Sequence, residues 1–323
     1  MPAALVTDVL DYGQGIYAID THYVRARFDA AHLIMHAGRA AFVDCGTSHS
    51  VPHLLAALEA LGVSPEAVDW LLLTHVHLDH AGGAGKLLRQ LPRARAVVHP
   101  RGAPHLIDPT KLVAASMAVY GEARYAQLYG EIHPIDAERV VATADGERLA
   151  LAGRELRVWH TPGHALHHQV YFDALSQGVF TGDTLGVSYR EFDVEGRAFS
   201  MPTTSPTQFD PGQLQASVRK IIEHAPRQAF LTHYGRIDEL SRIGALLERQ
   251  ISAFESLARA ARAATNDMTV LRDRLHTGVR AIVLKELRAH GCTLSEDAID
   301  AILGADYELN ADGLIAWLAR AAV

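Results

Sequence analysis

Trp70-Leu71-Leu72-Leu73-Thr74-His75-Val76-His77-Leu78-Asp79-His80 sets the expected fold. A short apolar run bounded by polar residues reads as a buried strand, and this one runs straight into a cluster of imidazoles and a carboxylate. Side chains two apart on a strand point the same way. His75 and His77 are therefore expected to converge on one ion at the strand's C-terminal end. Asp79 and His80 fall just beyond, in the turn to the next helix, where they face a second ion. The competing reading of the stretch is a helix cap followed by core histidines.

Outward from this junction, strand-like and helical runs alternate up to about residue 235. Leu33–Ala37 and Ala40–Asp44 flank Gly38-Arg39, a hairpin signal. Leu54, Leu58 and Leu61 at helical spacing predict a helix ending at Gly62, and Ser64-Pro65 predicts a capped single turn. Gly82-Gly83 leads into a helix through Leu87, Leu88 and Leu91, and Ala96–His99 reads as the next strand. Glu155–His160, Gln169–Phe172, Val179–Thr181 and Ala229–Thr232 read as further strands. Strands interleaved with helices imply a layered α/β or α+β sandwich around a buried sheet. Residues 102–146, with Tyr120, Tyr125 and Tyr129, and residues 186–212, with Pro202, Pro206 and Pro211, interrupt the rhythm as lid or binding-loop insertions. The last 88 residues read as about four helices. Their first stripe is Leu240, Ile243, Leu247, Ile251, Phe254 and Ala258, a core or homodimer contact, and Thr293 with Glu296 forms a capping box.

Composition narrows the function classes. The 323 residues carry a formal charge of −7, with 49% hydrophobic and 21% charged residues. That excludes a disordered chain, a collagen and a basic nucleic-acid arm. Cys45 and Cys292 form no disulfide framework or thiolate zinc module, which points to a reducing cytoplasm. The stretch Met1–Gly15 lacks the character of a signal peptide, and no run reaches the ~18–20 apolar residues of a spanning helix. The expected partner is a small-molecule substrate, with no nucleic acid and no membrane. Nineteen histidines are an excess that favours metal or acid–base chemistry.

Three more pieces stand at strand ends. These are His160-Thr161-Pro162-Gly163-His164, Thr181-Gly182-Asp183-Thr184 and Thr232-His233-Tyr234-Gly235, each with a glycine that lets the backbone turn. Five histidines and two aspartates give a nitrogen and oxygen set suited to two borderline divalent ions. The ordered set His75-x-His77-x-Asp79-His80, His164, Asp183 and His233 resembles the metallo-β-lactamase-fold hydrolase superfamily over about residues 10–235. Thr-Pro-Gly-His, Thr-Gly-Asp-Thr and the helical tail look more like its glyoxalase-II and lactonase branch. Arg101–Pro109 and Leu128-Tyr129-Gly130 are similar to an uncharacterised prokaryotic subgroup with helical C-terminal extensions.

The resemblance implies an α+β fold, a four-layer αββα sandwich in residues 1–235 followed by a helical domain in residues 236–323. It also implies that His75, His77 and His164 hold one metal, that Asp79, His80 and His233 hold the other, and that Asp183 bridges them. Two divalent ions are expected, zinc first with iron or manganese as alternatives. The expected activity is hydrolysis of an ester, thioester or lactone by a bridging hydroxide, with Asp79 also passing a proton. The alternatives are a mononuclear iron enzyme like the persulfide dioxygenases, a phosphodiesterase and a low-turnover ligand-binding regulator.

Departures from neighbouring branches limit these alternatives. Class B1 β-lactamases carry cysteine at the Asp183 position, and flavodiiron proteins an acidic residue at His77. The homoserine-lactone lactonases carry tyrosine where this chain has Gly186, with Tyr189 nearest. Arg242, Arg249, Arg259 and Arg262 align with no evident glutathione clamp. His160, His167 and His168 are read as neighbours of the ligands or as packing residues. His99 and His105 are expected to stabilise loops, and His22, His32, His36, His49 and His53 to be structural, His22 and His49 being nearest the site. Tyr189, Arg190, Phe192, Phe199 and Met201 line a pocket or pack a lid. Cys45 is a small packing residue.

Overall fold

A computed structural model describes residues 8–205 and 207–321. Pro206 of the expected loop and the start of the Met1–Gly15 stretch lie outside them. Two compact units emerge. Within the described residues the first comprises the chain up to His160, His167–Gly182 and Gln228–Arg236, and the second Thr161–Leu166, Asp183–Arg227 and the chain from Ile237 onward.

The first unit holds two mixed sheets, as the αββα expectation requires. Strands β1 (Val9–Asp11), β2 (Ile16–Asp20), β3 (Ala30–His36), β4 (Arg39–Val43), β5 (Val68–Leu72), β6 (Arg95–Val98) and β7 (Val140–Ala142) lie in chain order in one sheet. It is antiparallel from β1 to β4 and parallel from β4 to β7. The other sheet runs β13-β12-β11-β10-β9-β8, from β8 (Arg148–Leu151), β9 (Arg154–His160), β10 (Gln169–Asp173), β11 (Gly178–Gly182), β12 (Gln228–Leu231) and β13 (Gly235–Ile237). Ile34, Val43 and Leu72 of the first sheet pack with Val158, Tyr171 and Phe230 of the second to form the inter-sheet core. Leu33, Phe42 and Leu71, on the opposite face of the first sheet, pack under helices α1 (Val51–Ala60), α2 (Leu78–Ala81) and α3 (Ala84–Leu88). Side chains alternate faces along a strand, so one seven-residue run feeds both cores.

Local chemistry explains the junctions. The hairpin turn is Ala37-Gly38 rather than Gly38-Arg39, because His36 pairs with Arg39 and both turn residues take positive φ, 45° and 77°. The Ser64 hydroxyl caps its single turn as expected, accepting from the Glu66 amide. Residues 102–146 contain α4 (Ala103–Ile107), α5 (Thr110–Tyr120) and α6 (Glu122–Tyr129), but they also supply β7, which three residues of sequence could not announce.

The second unit carries the long helices. Pro211 does not extend the loop: it opens α7 (Pro211–Glu223), whose N-cap Asp210 accepts from the Gln213 amide at 2.8 Å. After residue 236 three long helices, not four, occupy the described residues: α8 (Leu240–Ala264), α9 (Met268–His290) and α10 (Glu296–Ala321). The cap of α10 is Ser295, which accepts from the Ala298 amide, and not Thr293. The expected stripe from Leu240 to Ala258 is buried within the protomer, as core. Tyr189, Phe192, Phe199 and Met201 are buried too. Their loop is tied to the helices by Arg242 on the Ala198 carbonyl, Gln250 on the Ser200 carbonyl, and Thr204 on both Asn310 oxygens. In this unit the insertion packs as part of the core.

Candidate metal centre

In the first unit, the strand β5 stops at Leu72, two residues before the motif, because the Thr74 amide turns to the Asp44 carboxylate. His75 and His77 therefore stand on a short extended loop and not on the strand itself. They are still neighbours, with ring centroids 4.4 Å apart, and His75 lies 4.0 Å from His80. His77 is the N-cap residue of α2, whose first turn carries Asp79 and His80.

Asp44 organises this unit, a role that sequence reading missed. It ends β4 at φ 55° and is 1% exposed. One oxygen accepts from the Thr74 amide at 2.8 Å. The other accepts from the Thr74 hydroxyl at 2.8 Å and the Thr232 hydroxyl at 2.9 Å, and meets His80 Nδ1 at 2.8 Å. Two segments far apart in sequence, the Thr74–His80 loop and Thr232, are thus tied to one carboxylate. A carboxylate on Nδ1 fixes the ring so that Nε2 is the atom that could take a metal, the usual device behind metal-binding histidines. The only sequence signal was Val43-Asp44-Cys45-Gly46 at a strand end.

The remaining donors of the unit are oriented likewise. His75 Nδ1 lies 3.1 Å from the Thr74 hydroxyl, and His233 Nδ1 lies 3.1 Å from the Phe28 carbonyl. Asp79 Oδ2 sits 3.5 Å from His233 Nε2 and 3.8 Å from His80 Nε2, and ligand atoms of the three residues lie within 4.8 Å of one another. Asp79 keeps 24% of its side chain exposed, so it is the one acid of the trio in reach of solvent. Gly182, at φ 46°, lets β11 end beside the motif. A Cβ there would come within 2.5 Å of the Thr74 hydroxyl and 2.9 Å of His168.

The second unit holds the other two predicted ligands together. His164 Nε2 lies 3.4 Å from Asp183 Oδ2, both side chains almost fully buried, and His164 Nδ1 faces the Thr203 carbonyl at 3.1 Å. Gly163, at φ 136°, permits the turn before His164. A Cβ there would collide with the Leu214 backbone.

Other histidines divide by environment. His168 stacks on His75 at 4.8 Å, and His167 Nδ1 accepts from the Val76 amide at 3.4 Å, so both prop the motif loop. His160 reaches the Thr143 carbonyl and packs on His99, which burial pulls down to about 4. His32 sits fully buried among Tyr12, Phe180 and Phe230, and burial lowers it to about 3, so it stays neutral in the core. His22 stacks on His53, and His49 meets the Ala126 carbonyl. Cys45 accompanies the site as packing: its sulfur points at the His80 carbonyl, and burial pushes the thiol well up. In the helical unit, Arg249 pairs with Glu286, and Arg259 pairs with Glu255 and covers Trp317. Those cations already have partners within the chain.

A ring wall also borders Asp79 and His233 in the first unit. Phe28 meets His233 edge-on at 5.4 Å, Tyr23 packs on Phe28 at 5.8 Å, and Tyr129 stacks on Tyr23 at 5.9 Å. Burial first, and the charge of Asp79 after it, push the Tyr23 phenol up, so it remains a proton donor. Tyr129 was noted in the sequence as part of an insertion and of the Leu128-Tyr129-Gly130 resemblance, and nothing there paired it with Tyr23.

Comparison with known proteins agrees with this geometry. ST1585 of Sulfurisphaera tokodaii, a metallo-beta-lactamase fold-containing protein, is 28% identical over 199 residues, which is 60% of this chain and 68% of that protein. A hydroxyacylglutathione hydrolase of Xanthomonas euvesicatoria is 32% identical over 203 residues, 62% of this chain and 58% of that enzyme. The chain thus spans little more than half of that relative's length. The crystal structure of the metallo-beta-lactamase family protein TTHA1429 of Thermus thermophilus superposes with a TM-score of 0.62 at 23% identity, over 87% of this chain and 95% of that one. The family model of the metallo-beta-lactamase superfamily matches residues 25–233, well over half of the sequence, and the chain belongs to that superfamily.

Proposed function

We propose that the protein is a metal-dependent hydrolase of an ester, thioester or lactone. The observation that carries this reading is the convergence of Asp79, His80 and His233, with His80 aimed by the buried Asp44. Three borderline ligands with an oriented imidazole fit a divalent ion, and the His164–Asp183 pair supplies the same donor chemistry. We assign His75, His77 and His164 to one ion and Asp79, His80 and His233 to a second, with Asp183 common to both. Chain order within the superfamily supports this assignment. Zinc is the expected metal, with iron or manganese as alternatives.

The chemistry that two divalent ions supply when bound is Lewis acidity, which brings a water's pKa near neutrality and polarises a carbonyl. The chain's own groups do the rest. Asp44 holds the His80 ring through Nδ1, Phe28 does so for His233, and Thr203 for His164. Asp79 is the solvent-reachable carboxylate, placed to accept a proton from the nucleophile and return it to the leaving group.

Relatives named hydroxyacylglutathione hydrolase support an acyl substrate and a hydrolytic reaction. We further propose a catalytic domain in residues 1–235 with a helical accessory domain in 236–323, acting in the cytoplasm on a small molecule and not on nucleic acid. Among the described residues no helix is long and apolar enough to cross a membrane. Light scattering tests for a homodimer. Metal analysis of the purified protein, followed by acid release from thioester, lactone and aryl-ester panels, tests the function. Two zinc ions per chain with turnover on one panel are expected. A fully metallated protein inert on all three, or stoichiometric iron with oxygen consumption, would overturn the reading.

A further inference from the structure

The ring wall of the first unit contains a hydrogen-bond donor that the proposed chemistry does not use. Residues 20–29 are held in a tight loop: the Thr21 amide and hydroxyl both donate to the Asp29 carbonyl, and the Asp20 carboxylate accepts from the amides of His22 and Arg27. This loop fixes Phe28 against His233 and Tyr23 against Tyr129. Leu78, between ligands His77 and Asp79, packs in the same cluster with Tyr125 and Tyr129. The wall is therefore attached to the Asp79–His233 side of the site at two points.

Its hydroxyls are incompletely satisfied. The Tyr23 hydroxyl donates to that of Tyr129 at 3.3 Å. Tyr129 is 5% exposed, and among the described residues its own proton has no acceptor. The Tyr125 hydroxyl, in the same cluster, is buried with no hydrogen-bond partner among the described residues. Leaving a buried donor unmade is costly in free energy, so each such group calls for a partner that the chain itself does not supply. A surface of ring faces with a spare phenolic proton suits an apolar acyl group that bears one polar oxygen.

We propose that Tyr129, oriented by Tyr23, is a substrate-binding residue whose hydroxyl donates to an oxygen on the acyl chain, apart from the scissile carbonyl. The proposal rests on the hydrolase reading above and adds the acyl-side selectivity. It makes the enzyme prefer acyl groups with an acceptor oxygen over their deoxy counterparts.

The test compares kcat/KM of the metal-loaded enzyme on 3-hydroxybutanoyl and butanoyl thioesters of N-acetylcysteamine. Wild type is expected to prefer the hydroxyacyl substrate. Tyr129→Phe is expected to lose about tenfold on it and to stay within about twofold on the butanoyl thioester. Metal content and Tm should hold. A merely structural role would lower both substrates alike, and that result, or no loss on either, overturns the proposal. Tyr23→Phe carries the same selectivity readout if Tyr129→Phe fails to fold. A metal-loaded wild type inert on thioesters, lactones and aryl esters alike would instead sink the hydrolase reading, a result distinct from turnover without selectivity.

Discussion

The two insertions, read in the sequence as residues 102–146 and 186–212, look alike there but differ in how their polar groups are satisfied. In the second, polar groups are matched inside the helical unit: Tyr189 donates to Asp306, the Ser188 hydroxyl to the Phe199 carbonyl, and the Thr204 amide to Asn310. In the first, α6 brings Tyr125 and Tyr129 into an apolar cluster where phenolic protons are left over. Two aromatic-rich irregular segments thus differ, one with its polar groups completed by the chain and the other with phenolic protons that meet no acceptor among the described residues. The distinguishing feature is polar satisfaction, because a buried donor without an acceptor is costly wherever it sits.

Substitutions test this contrast, and the candidate ligands set its upper limit. His77→Ala and Asp183→Ala should each cut both bound metal and turnover by more than about 100-fold, beyond what supporting groups achieve. Unchanged turnover in either purified variant would remove the metal mechanism and leave the first insertion nothing to serve. Asp44→Ala should lower metal affinity by about 10–100-fold, because His80, Thr74 and Thr232 all lose their shared acceptor. Competition with a chelator measures it, and wild-type affinity would show that the ligands hold themselves.

Tyr129→Phe is the next step down, about tenfold and confined to oxygen-bearing acyl groups. Its counterpart in the second insertion is Tyr189→Phe, which removes a hydrogen bond to a buried carboxylate. That change should lower stability by about 1–2 kcal/mol in a denaturant melt while leaving kcat/KM within about twofold. If Tyr189→Phe altered selectivity and Tyr129→Phe altered only stability, the contrast would be reversed.

Much of the site could be read from spacing. His75, His77, Asp79 and His80 lie within six residues, and the glycines beside His164, Asp183 and His233 mark tight turns that the structure contains. The expectation that His75 and His77 stand on a strand was wrong in form, because the Thr74 amide leaves the ladder for Asp44. Their adjacency survived because extended loop and strand share the same alternation. Asp44 itself was opaque, since one aspartate at a strand end resembles any other until Thr74, His80 and Thr232 are seen around it. The capping error at Thr293 was local: Ser295, two residues on, competes for the same role.

Helical and strand periodicity, turn residues and ligand order are properties of neighbours along the chain, so a layered α/β or α+β sandwich, a helical C-terminal run and an ordered set of candidate ligands were legible in it, and the resemblance carried by those ligands chose α+β. Hydrogen bonding between distant segments is not encoded in any single window. It took the folded chain to show that Asp44 aims His80, that the apolar stripe of α8 is core, and that Tyr23, over a hundred residues from Tyr129, meets it. Burial made the difference, because a phenol or carboxylate has a defined task only once water is removed and its partners are fixed.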